Sequence, residues 1–381
     1  MSKQYEIEID SIKSIYLNKI TNEYNRKLKV YFSTPDDINE YTGIVVHING
    51  FGGNSNANVY KKMRREFPDK YNLINIQCDY FGHEFMSDLN QEVYIPNENY
   101  LKQKSKVFSE SDKAMIYDER GIIDFNKFMH VISKYDTEVS YEMFMDEKIS
   151  NFNDMGLMQA LDNIIAVVSV MNILYTNNYK FNAKKIILFG YSQGAYISYL
   201  CNALTPGLFS LIIDNSSWLL PKYIEENEGR ALLSYAGKCR IVEIFNYSAK
   251  KFVKDKDILN LELLYNQFKN KCNIVSYHGT EDKLITLEKK KEFLNSIDKC
   301  VLNEIDKSKI DNIVFKSTDH GLGADFLKIF DLTMNNLDFK FDKSTEFTLP
   351  QQVTYESENN RYTFNYENIL PIVQIISKEN N

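Results

Sequence analysis

Hydrophobic and polar residues alternate in two segments near the start of the chain, YEIEI at 5–9 and KLKVYF at 28–33. Alternation with a period of two residues is typical of strands that are buried on one face only. The two segments therefore predict an antiparallel pair of strands at the beginning of the fold.

Further along, this pattern gives way to short apolar runs that do not alternate. Runs rich in Ile and Val suit strands that are covered on both faces, as in a parallel sheet. Six such runs predict strands at 43–48, 72–78, 185–190, 210–215, 273–279 and 312–318. Helix-like segments lie between them at 58–67, 156–178 and 286–299. This alternation predicts an α/β fold with a mostly parallel, doubly wound sheet, whose chemistry lies at the carboxyl ends of the strands.

Two connections are longer than a crossover between parallel strands requires. Residues 84–152 are acidic and aromatic with weak periodicity, and residues 219–268 hold helix-like mixtures of polar and apolar residues. Long connections within a compact domain commonly form lids, binding loops or inserted subdomains. We therefore predict that residues 84–152 form an inserted cap.

The last part of the chain has the pattern of a β-hairpin, in which VTYES and RYTFNYE are joined by residues 358–360. This pattern makes residues 336–381 a β-rich C-terminal extension. The predicted organisation is then a core of residues 1–83 and 153–335, the cap at 84–152, and this extension.

The amino-acid composition excludes some classes of function for this chain. The 381 residues include 45 Lys and Arg against 52 Asp and Glu, which gives a net charge of −7 and no general basic field for nucleic acid. No apolar stretch is long enough to predict a membrane span, and the acidic start MSKQYEIEID does not resemble a signal peptide, so a cytoplasmic location is expected. The five cysteines lack the spacing of a zinc site, and neither a metal nor a cofactor is predicted.

The strongest local motif is Gly190-Tyr191-Ser192-Gln193-Gly194, which lies between an apolar run and a helix-like run. In such a strand-turn-helix reversal the central serine adopts a strained backbone conformation, and its hydroxyl is lifted off the sheet. The motif predicts that Ser192 is a nucleophile. The alternative is an incidental serine in a glycine-rich turn.

A serine nucleophile needs a histidine to accept its proton and a carboxylate to orient that histidine. Among the five histidines, His320 follows the last apolar run, where a loop could reach Ser192. Asp282 lies just beyond the run at 273–279 and is the predicted carboxylate, with Asp214 as an alternative one strand earlier. The resulting chain order of serine, aspartate and histidine is the order found in one large class of α/β enzymes.

Acyl transfer also needs N–H donors for the oxyanion. The glycine-rich loop at 49–53 follows a predicted strand, so Phe51 or Gly52 could supply one donor and Gln193 the other. The same loop lacks the GK[ST] and GxGxxG patterns of phosphate-binding loops. The residues predicted to contact the substrate are Gly50, Gly52, Tyr191 and His83.

Together these motifs resemble the α/β-hydrolase superfamily over roughly residues 43–330. HINGFGG at 47–53 is similar to the oxyanion loop, and GYSQGA at 190–195 to the nucleophile elbow. HGTED at 278–282 and DHG at 319–321 resemble the acid and histidine loops of peptidase-like and esterase-like members.

One departure from this pattern concerns the oxyanion loop, where Ile48 and Asn49 separate His47 from Gly50. The identity of the first oxyanion donor is therefore left open. The large insertion, the Asn-Gly-Phe-Gly-Gly loop and the β-rich tail are also similar to an uncharacterised family of bacterial α/β-hydrolase-like proteins, some associated with surface-glycan or flagellar modification.

The resemblance implies a serine hydrolase that cleaves a carboxylic ester of a small molecule or glycan, such as an O-acyl group on a sugar. An acyltransferase or a peptidase could use the same three residues, and a hydrolase-like scaffold could bind a partner without turnover. The sequence leaves these alternatives and the oligomeric state open.

Overall fold

A computed structural model of the chain describes residues 2–17, 20–21, 26–86, 97–226, 228–368 and 370–378. Residues 87–96 of the predicted cap lie outside these described residues. The chain divides into two compact units. The larger unit comprises Met1–Ser87, Ile149–Pro221 and Phe252–Asn381, and the smaller unit comprises Asp88–Lys148 and Lys222–Lys251.

The described residues contain fifteen strands and ten α-helices, each numbered in chain order. The strands are β1 (Lys3–Ser11), β2 (Ile20–Thr21), β3 (Arg26–Thr34), β4 (Gly43–Ile48), β5 (Leu73–Cys78), β6 (Glu138–Phe144), β7 (Ile186–Tyr191), β8 (Leu211–Asn215), β9 (Arg230–Ala236), β10 (Cys239–Asn246), β11 (Asn273–Gly279), β12 (Cys300–Ile305), β13 (Gln352–Glu356), β14 (Asn360–Asn365) and β15 (Ile372–Ser377). The helices are α1 (Asn58–Tyr71), α2 (Glu98–Lys104), α3 (Glu110–Ile116), α4 (Phe125–Ile132), α5 (Leu157–Thr176), α6 (Gln193–Leu204), α7 (Ala249–Phe252), α8 (Leu261–Tyr265), α9 (Leu287–Asn295) and α10 (Phe326–Asn335).

The larger unit is built on an eight-stranded sheet with the order β1-β3-β5-β4-β7-β8-β11-β12. The predicted antiparallel pair is confirmed, because β1 and β3 pair antiparallel with Tyr5 opposite Phe32. Strand β3 also pairs antiparallel with β5, and all later neighbours are parallel. The mostly parallel α/β sheet predicted from the apolar runs is therefore present.

Helices cover both faces of this sheet, which explains why β4 and β5 are buried at every position. On one face, Phe67 of α1 and Phe330 of α10 pack with ring centroids 4.5 Å apart, next to Phe189 of β7. Helices α5 and α6 pack against each other and against strands of the sheet. This arrangement holds the carboxyl ends of β4, β7, β8 and β11 at one edge.

The last strand of the sheet is not where the sequence predicts it. The run at 312–318 forms a loop, and the eighth strand is β12 instead. The carboxylate of Asp311 accepts hydrogen bonds from three successive backbone amides, which favours a turn over an extended strand. These amides belong to Ile313, Val314 and Phe315, at 2.8, 2.8 and 3.0 Å.

The smaller unit contains a three-stranded sheet with the order β6-β10-β9 and its own apolar cluster. Strand β10 pairs parallel with β6 and antiparallel with β9. The helix-like interpretation of residues 219–268 is therefore wrong over 230–246. The error arises from the sequence of β9. Leu233 and Tyr235 face outward there, with 59% and 71% of their surface exposed, so polar and apolar residues do not alternate along this strand.

A second sheet of the larger unit holds the predicted C-terminal hairpin. Strands β13 and β14 pair antiparallel, and β15 and β2 extend them in the order β13-β14-β15-β2. The hydroxyl of Tyr355, on β13, donates a 2.6 Å hydrogen bond to the carbonyl of Ala203 in α6. The sheet is thereby joined to the helix that begins at the GxSxG motif.

Helix α5 is long and apolar enough to cross a membrane, although the sequence predicts no membrane span. However, 83% of its apolar window is buried inside the structure. A helix that is apolar all round is found either in a protein core or in a membrane. Here it packs against α6 and the main sheet.

Candidate active site

Ser192 lies at the sharp turn between β7 and α6, with φ 54° and ψ −118°. A left-handed φ of this kind costs a non-glycine residue about 1–2 kcal/mol. The flanking glycines are required by close approach: a Cβ on Gly190 would lie 2.3 Å from the backbone N of Ala195, and one on Gly194 would lie 2.1 Å from the carbonyl O of Ile48. The strand-turn-helix geometry predicted from the motif is therefore present.

The structure brings the three predicted catalytic side chains together. His320 Nε2 lies 2.7 Å from Ser192 Oγ, and His320 Nδ1 lies 2.8 Å from Asp282 Oδ2. The Asp282 side chain is fully buried, and that of His320 is 18% exposed. If Nδ1–H donates to the carboxylate, Nε2 is left as the acceptor for the serine hydroxyl, which is the tautomer that a general base requires.

Asp282 is held as a carboxylate by the groups around it. Burial raises the pKa of Asp282, but the hydrogen bond and charge of His320 and further contributions from His278 and the Ile285 amide outweigh burial, so the pKa lies below its ordinary 3.8. The amides of Leu284 and Ile285 donate to Oδ1 at 2.8 and 3.2 Å. The carboxylate is therefore ionised at neutral pH and fixed in orientation.

His278 lies beside this carboxylate but is not part of the hydrogen-bonded series from Asp282 through His320 to Ser192. Its Nε2 lies 3.6 Å from Asp282 Oδ2 and donates a 2.8 Å hydrogen bond to the carbonyl of Ile285. Burial, followed by the positive charge of Lys290, lowers the pKa of His278 below 6.5. The imidazole is therefore neutral at pH 7, and its contact to Ile285 fixes the loop that carries Asp282.

Two residues at the end of β8, Asn215 and Ser216, connect the nucleophile to the histidine loop, and we call them the β8 clamp. The carbonyl of Asn215 accepts a 2.8 Å hydrogen bond from the Ser192 N–H. Ser216 Oγ accepts the Gly321 N–H at 3.1 Å, and Asn215 Nδ2 donates to the Gly321 carbonyl at 3.4 Å. Ser216 has a φ of 58° and is fully buried. Sequence reasoning misses this pair, although DNSS directly after an apolar run is a polar signal at the correct sheet edge.

Asp214, the alternative carboxylate, has no hydrogen bond to His320 among the described residues. Its carboxylate instead accepts from the fully buried Lys290 Nζ at 2.6 Å and from the Ser217 amide at 2.8 Å. Burial raises the pKa of Asp214, but Lys290 and the hydrogen bonds of Ser276 and Tyr199 outweigh burial, so the pKa is lowered. The pair stabilises the turn that carries the β8 clamp.

The predicted oxyanion loop lies against the elbow. A Cβ on Gly194 would be 2.7 Å from the carbonyl O of Asn49, so the end of β4 and the start of α6 are in contact. Gly50 accepts a 2.8 Å hydrogen bond from the Gly53 N–H and closes a turn in which Gly52 has φ 77°. Phe51 lies in this turn.

Gln193 follows the nucleophile as the first residue of α6, and its side chain is fully buried. Its Nε2 donates a 2.9 Å hydrogen bond to Gln159 Oε1, and Gln159 in turn donates to Asn153 Oδ1 at 2.9 Å. The ring of Phe51 lies 5.7 Å from that of Trp218. Two predicted oxyanion residues are thus each held by contacts on their side chains.

The two remaining predicted substrate contacts differ in position. The Tyr191 ring lies 5.5 Å from Phe326 and 6.2 Å from the His320 ring, so it packs behind the histidine loop. The His83 ring is exposed, contacts the Tyr80 carbonyl at 3.1 Å and lies 3.2 Å from the Glu84 carboxylate. No hydrogen bond within the described residues joins His83 to Ser192, Asp282 or His320.

Strand order and site position together identify the fold. Antiparallel first strands, a nucleophile elbow after β7, the acid after β11 and the histidine after β12 follow the serine, acid, histidine order of the α/β-hydrolase fold. The chain has this fold. The family described as "Protein of unknown function (DUF2920)" matches residues 5–370. The chain belongs to the DUF2920 family.

Several solved structures are similar to this DUF2920 chain in outline. Est1E from Butyrivibrio proteoclasticus with bound ferulic acid is 16% identical, with a TM-score of 0.44 over 81% of this chain and 95% of that one. An acylaminoacyl peptidase from Pyrococcus horikoshii is 10% identical, with a TM-score of 0.42 over 80% and 37%. Thermogutta terrifontis esterase 2, phosphonylated by cyclosarin, is 11% identical, with a TM-score of 0.39 over 81% and 87%.

No curated protein matches this chain. One fold supports many unrelated functions, so the function of the DUF2920 chain has to be argued from its site. Within the described residues, no group of three or more His, Cys, Asp or Glu side chains could hold a metal ion.

Proposed function

We propose that the DUF2920 chain is a serine hydrolase that cleaves a carboxylic ester through an acyl-enzyme on Ser192. The proposal rests on the two hydrogen bonds that run from Asp282 through His320 to Ser192, at 2.8 and 2.7 Å. A buried carboxylate, an imidazole and a hydroxyl in this order form the arrangement that activates a serine for attack on a carbonyl group.

In the first half-reaction, Ser192 Oγ attacks the ester carbonyl carbon while its proton passes to His320 Nε2. The imidazolium that forms is stabilised by the ionised Asp282. The backbone N–H of Gln193 and that of Phe51 or Gly52 are the proposed donors to the oxyanion. The tetrahedral intermediate then collapses: the carbon–oxygen bond to the alcohol breaks, and the leaving oxygen takes the proton from His320.

The second half-reaction repeats this chemistry with water. His320 Nε2 removes a proton from a water molecule, whose oxygen attacks the acyl carbon. When the intermediate collapses, Ser192 Oγ leaves and takes the proton back from His320. The products are a carboxylic acid and an alcohol, and the enzyme is regenerated.

We propose an ester as the substrate in preference to an amide because an alcohol leaves more readily than an amine. An O-acyl group on a sugar or another small molecule would fit this proposal. Hydrolysis of p-nitrophenyl acetate, compared with the amide p-nitroacetanilide, tests the preference. Faster release of p-nitroaniline than of p-nitrophenol would contradict it.

Fluorophosphonate labelling of the purified full chain tests the activated serine, because this probe reacts with serines that have an adjacent base. We expect labelling of the wild type and no labelling of Ser192→Ala or His320→Ala. Ser296→Ala and His130→Ala are controls at exposed positions outside the site and should label as the wild type does. Persistent labelling of Ser192→Ala, or no labelling of a folded wild type, would overturn the proposal.

A further inference from the structure

A recess of about 450 Å³ opens at the edge of the main sheet opposite Ser192. Ser210 directly precedes β8, Asn273 begins β11, and Lys299 directly precedes β12, so the recess lies at the amino ends of these strands. Ser192 follows the carboxyl end of β7, six residues from its start. At about 3.3 Å per residue the two places are roughly 20 Å apart. The recess is therefore separate from the candidate active site.

The recess is strongly cationic. Its lining includes one acidic residue, Asp342, and four lysines: Lys184, Lys271, Lys299 and Lys340. None of these four forms an ion pair with a residue that the structure describes. By contrast, Lys343, next to the recess, pairs with Glu40 at 3.3 Å. Lys299 Nζ donates a 3.3 Å hydrogen bond to the Lys271 carbonyl. In a chain with a net charge of −7, an excess of three positive charges (4 − 1) in one recess is a local feature.

Part of the wall of the recess is apolar, and this part is fixed by packing. The rings of Phe339 and Phe341 pack with centroids 5.2 Å apart at 73°, and both lie against the core of the larger unit. Their segment is held to the end of the α5–β7 connection, because Asn182 Nδ2 donates to the Asp342 carbonyl at 2.9 Å and the Ala183 N–H donates to the Ser344 carbonyl at 2.7 Å. Contacts within the chain therefore hold this part of the recess in place.

We propose that this recess binds a small, multiply charged anion. Four lysines line one cavity, so a bound anion could accept hydrogen bonds from their ammonium groups while offsetting their charge. Lysine is well suited to this role because its three N–H donors turn freely toward phosphate or carboxylate oxygens. The volume lies within the range of small-molecule sites. This inference is independent of the proposed hydrolase activity.

Phosphate and carboxylate groups share this chemistry, so calorimetric titrations at low ionic strength use one probe of each type. Inorganic pyrophosphate represents phosphates, and citrate represents polycarboxylates. We expect the wild-type chain to bind at least one of them at a single site. Whichever binds more tightly indicates the class of the natural anion. If neither probe binds, the proposal is wrong.

Two matched double variants locate the binding. Lys271→Gln with Lys299→Gln removes two charges from the recess, and we expect the affinity to fall by about tenfold or more. Lys289→Gln with Lys328→Gln removes two charges at exposed positions on α9 and α10, and the affinity should change less than about twofold. Circular dichroism and thermal unfolding confirm that both variants fold. An equal loss of affinity in both would show general charge attraction and overturn the site.

Discussion

The hydroxyl of Ser216 accepts a 3.1 Å hydrogen bond from the backbone N–H of Gly321, the residue directly after His320. Its neighbour Asn215 accepts the backbone N–H of Ser192 at 2.8 Å. One two-residue segment therefore fixes the backbone on both sides of the hydrogen bond between Ser192 and His320. Catalytic geometry depends on placement to within a fraction of an ångström, so we expect this segment to set the distance between Ser192 Oγ and His320 Nε2.

Removal of the Ser216 hydroxyl is expected to slow the reaction of Ser192 markedly, while its effect on the free energy of unfolding stays small. Ser216→Ala should reduce the rate of fluorophosphonate labelling by about tenfold or more, because the histidine loop loses an anchor. Ser216→Gly should lose the same activity but be more stable than Ser216→Ala by about 1 kcal/mol, since glycine adopts a φ of 58° without strain. Labelling rates and urea unfolding measure the two effects. Wild-type labelling by Ser216→Ala would refute the role of the β8 clamp.

Stability should depend on pH through Asp282. The pKa of Asp282 lies below 3.8 in the folded chain, whereas an unfolded Asp has a pKa of about 3.9. Its charged form therefore stabilises the fold above about pH 4, and this contribution is lost as the pH falls through the folded pKa. The difference in unfolding free energy between wild type and Asp282→Asn should shrink from pH 7 to pH 3. Asp319→Asn, at an exposed carboxylate, is the control and should show a smaller dependence on pH.

Substitution of Gly194 by alanine should prevent correct formation of the elbow. The new Cβ would lie 2.1 Å from the Ile48 carbonyl O and 2.7 Å from that of Asn49, both of them backbone atoms that cannot move aside cheaply. We expect a loss of about 3 kcal/mol or more, or no folded protein. Gly207→Ala is the matched control, since no atom lies within 4 Å of its new Cβ and only a φ of 90° is strained. Equal unfolding free energies for the two variants would contradict this expectation.

Loss of Lys290 should leave a buried charge without its partner. We expect Lys290→Met to destabilise the fold by about 3–5 kcal/mol, because Asp214 is then a buried charge without its counter-ion. Without the lysine, burial raises the pKa of Asp214, so the destabilisation should decrease toward acid pH. Adding Asp214→Asn to Lys290→Met should recover part of the stability. Denaturant unfolding of the wild type and the two variants at pH 7 and pH 5 tests this. A double variant less stable than Lys290→Met alone would contradict the account.

The parts of the site that follow from the sequence are those encoded by short segments. The GYSQG motif predicts a turn because the strand-turn-helix geometry needs glycine two residues before and two residues after Ser192. Asp282 and His320 each follow an apolar run, so a parallel sheet brings them to the same edge as Ser192. The β8 clamp and Lys290 could not be found in this way. Their partners in the site lie between 23 (215 − 192) and 106 residues away along the chain, and no local pattern records such contacts.

The two errors in the fold have a similar cause. Hydrophobicity alone favours residues 312–318 over β12, because the latter is a partly exposed edge strand that contains Asn303 and Glu304. One carboxylate, that of Asp311, makes the more apolar run a loop. In β9, also an edge strand, the outward side chains include Leu233 and Tyr235. Tertiary position thus outweighs local pattern at the edges of sheets.

The pairing of β2 with β15 affects the order in which the chain can fold during its synthesis. Thr21 lies opposite Val373, so β2 cannot pair with β15 until about 350 further residues (373 − 21 = 352) have been synthesised. Contacts of such long sequence separation form slowly, because a large loop has to close first. Tyr355, whose hydroxyl donates a hydrogen bond to the Ala203 carbonyl near the end of α6, also belongs to the C-terminal segment that is synthesised late. This contact can therefore form only after Tyr355 has been synthesised, well after the elbow itself.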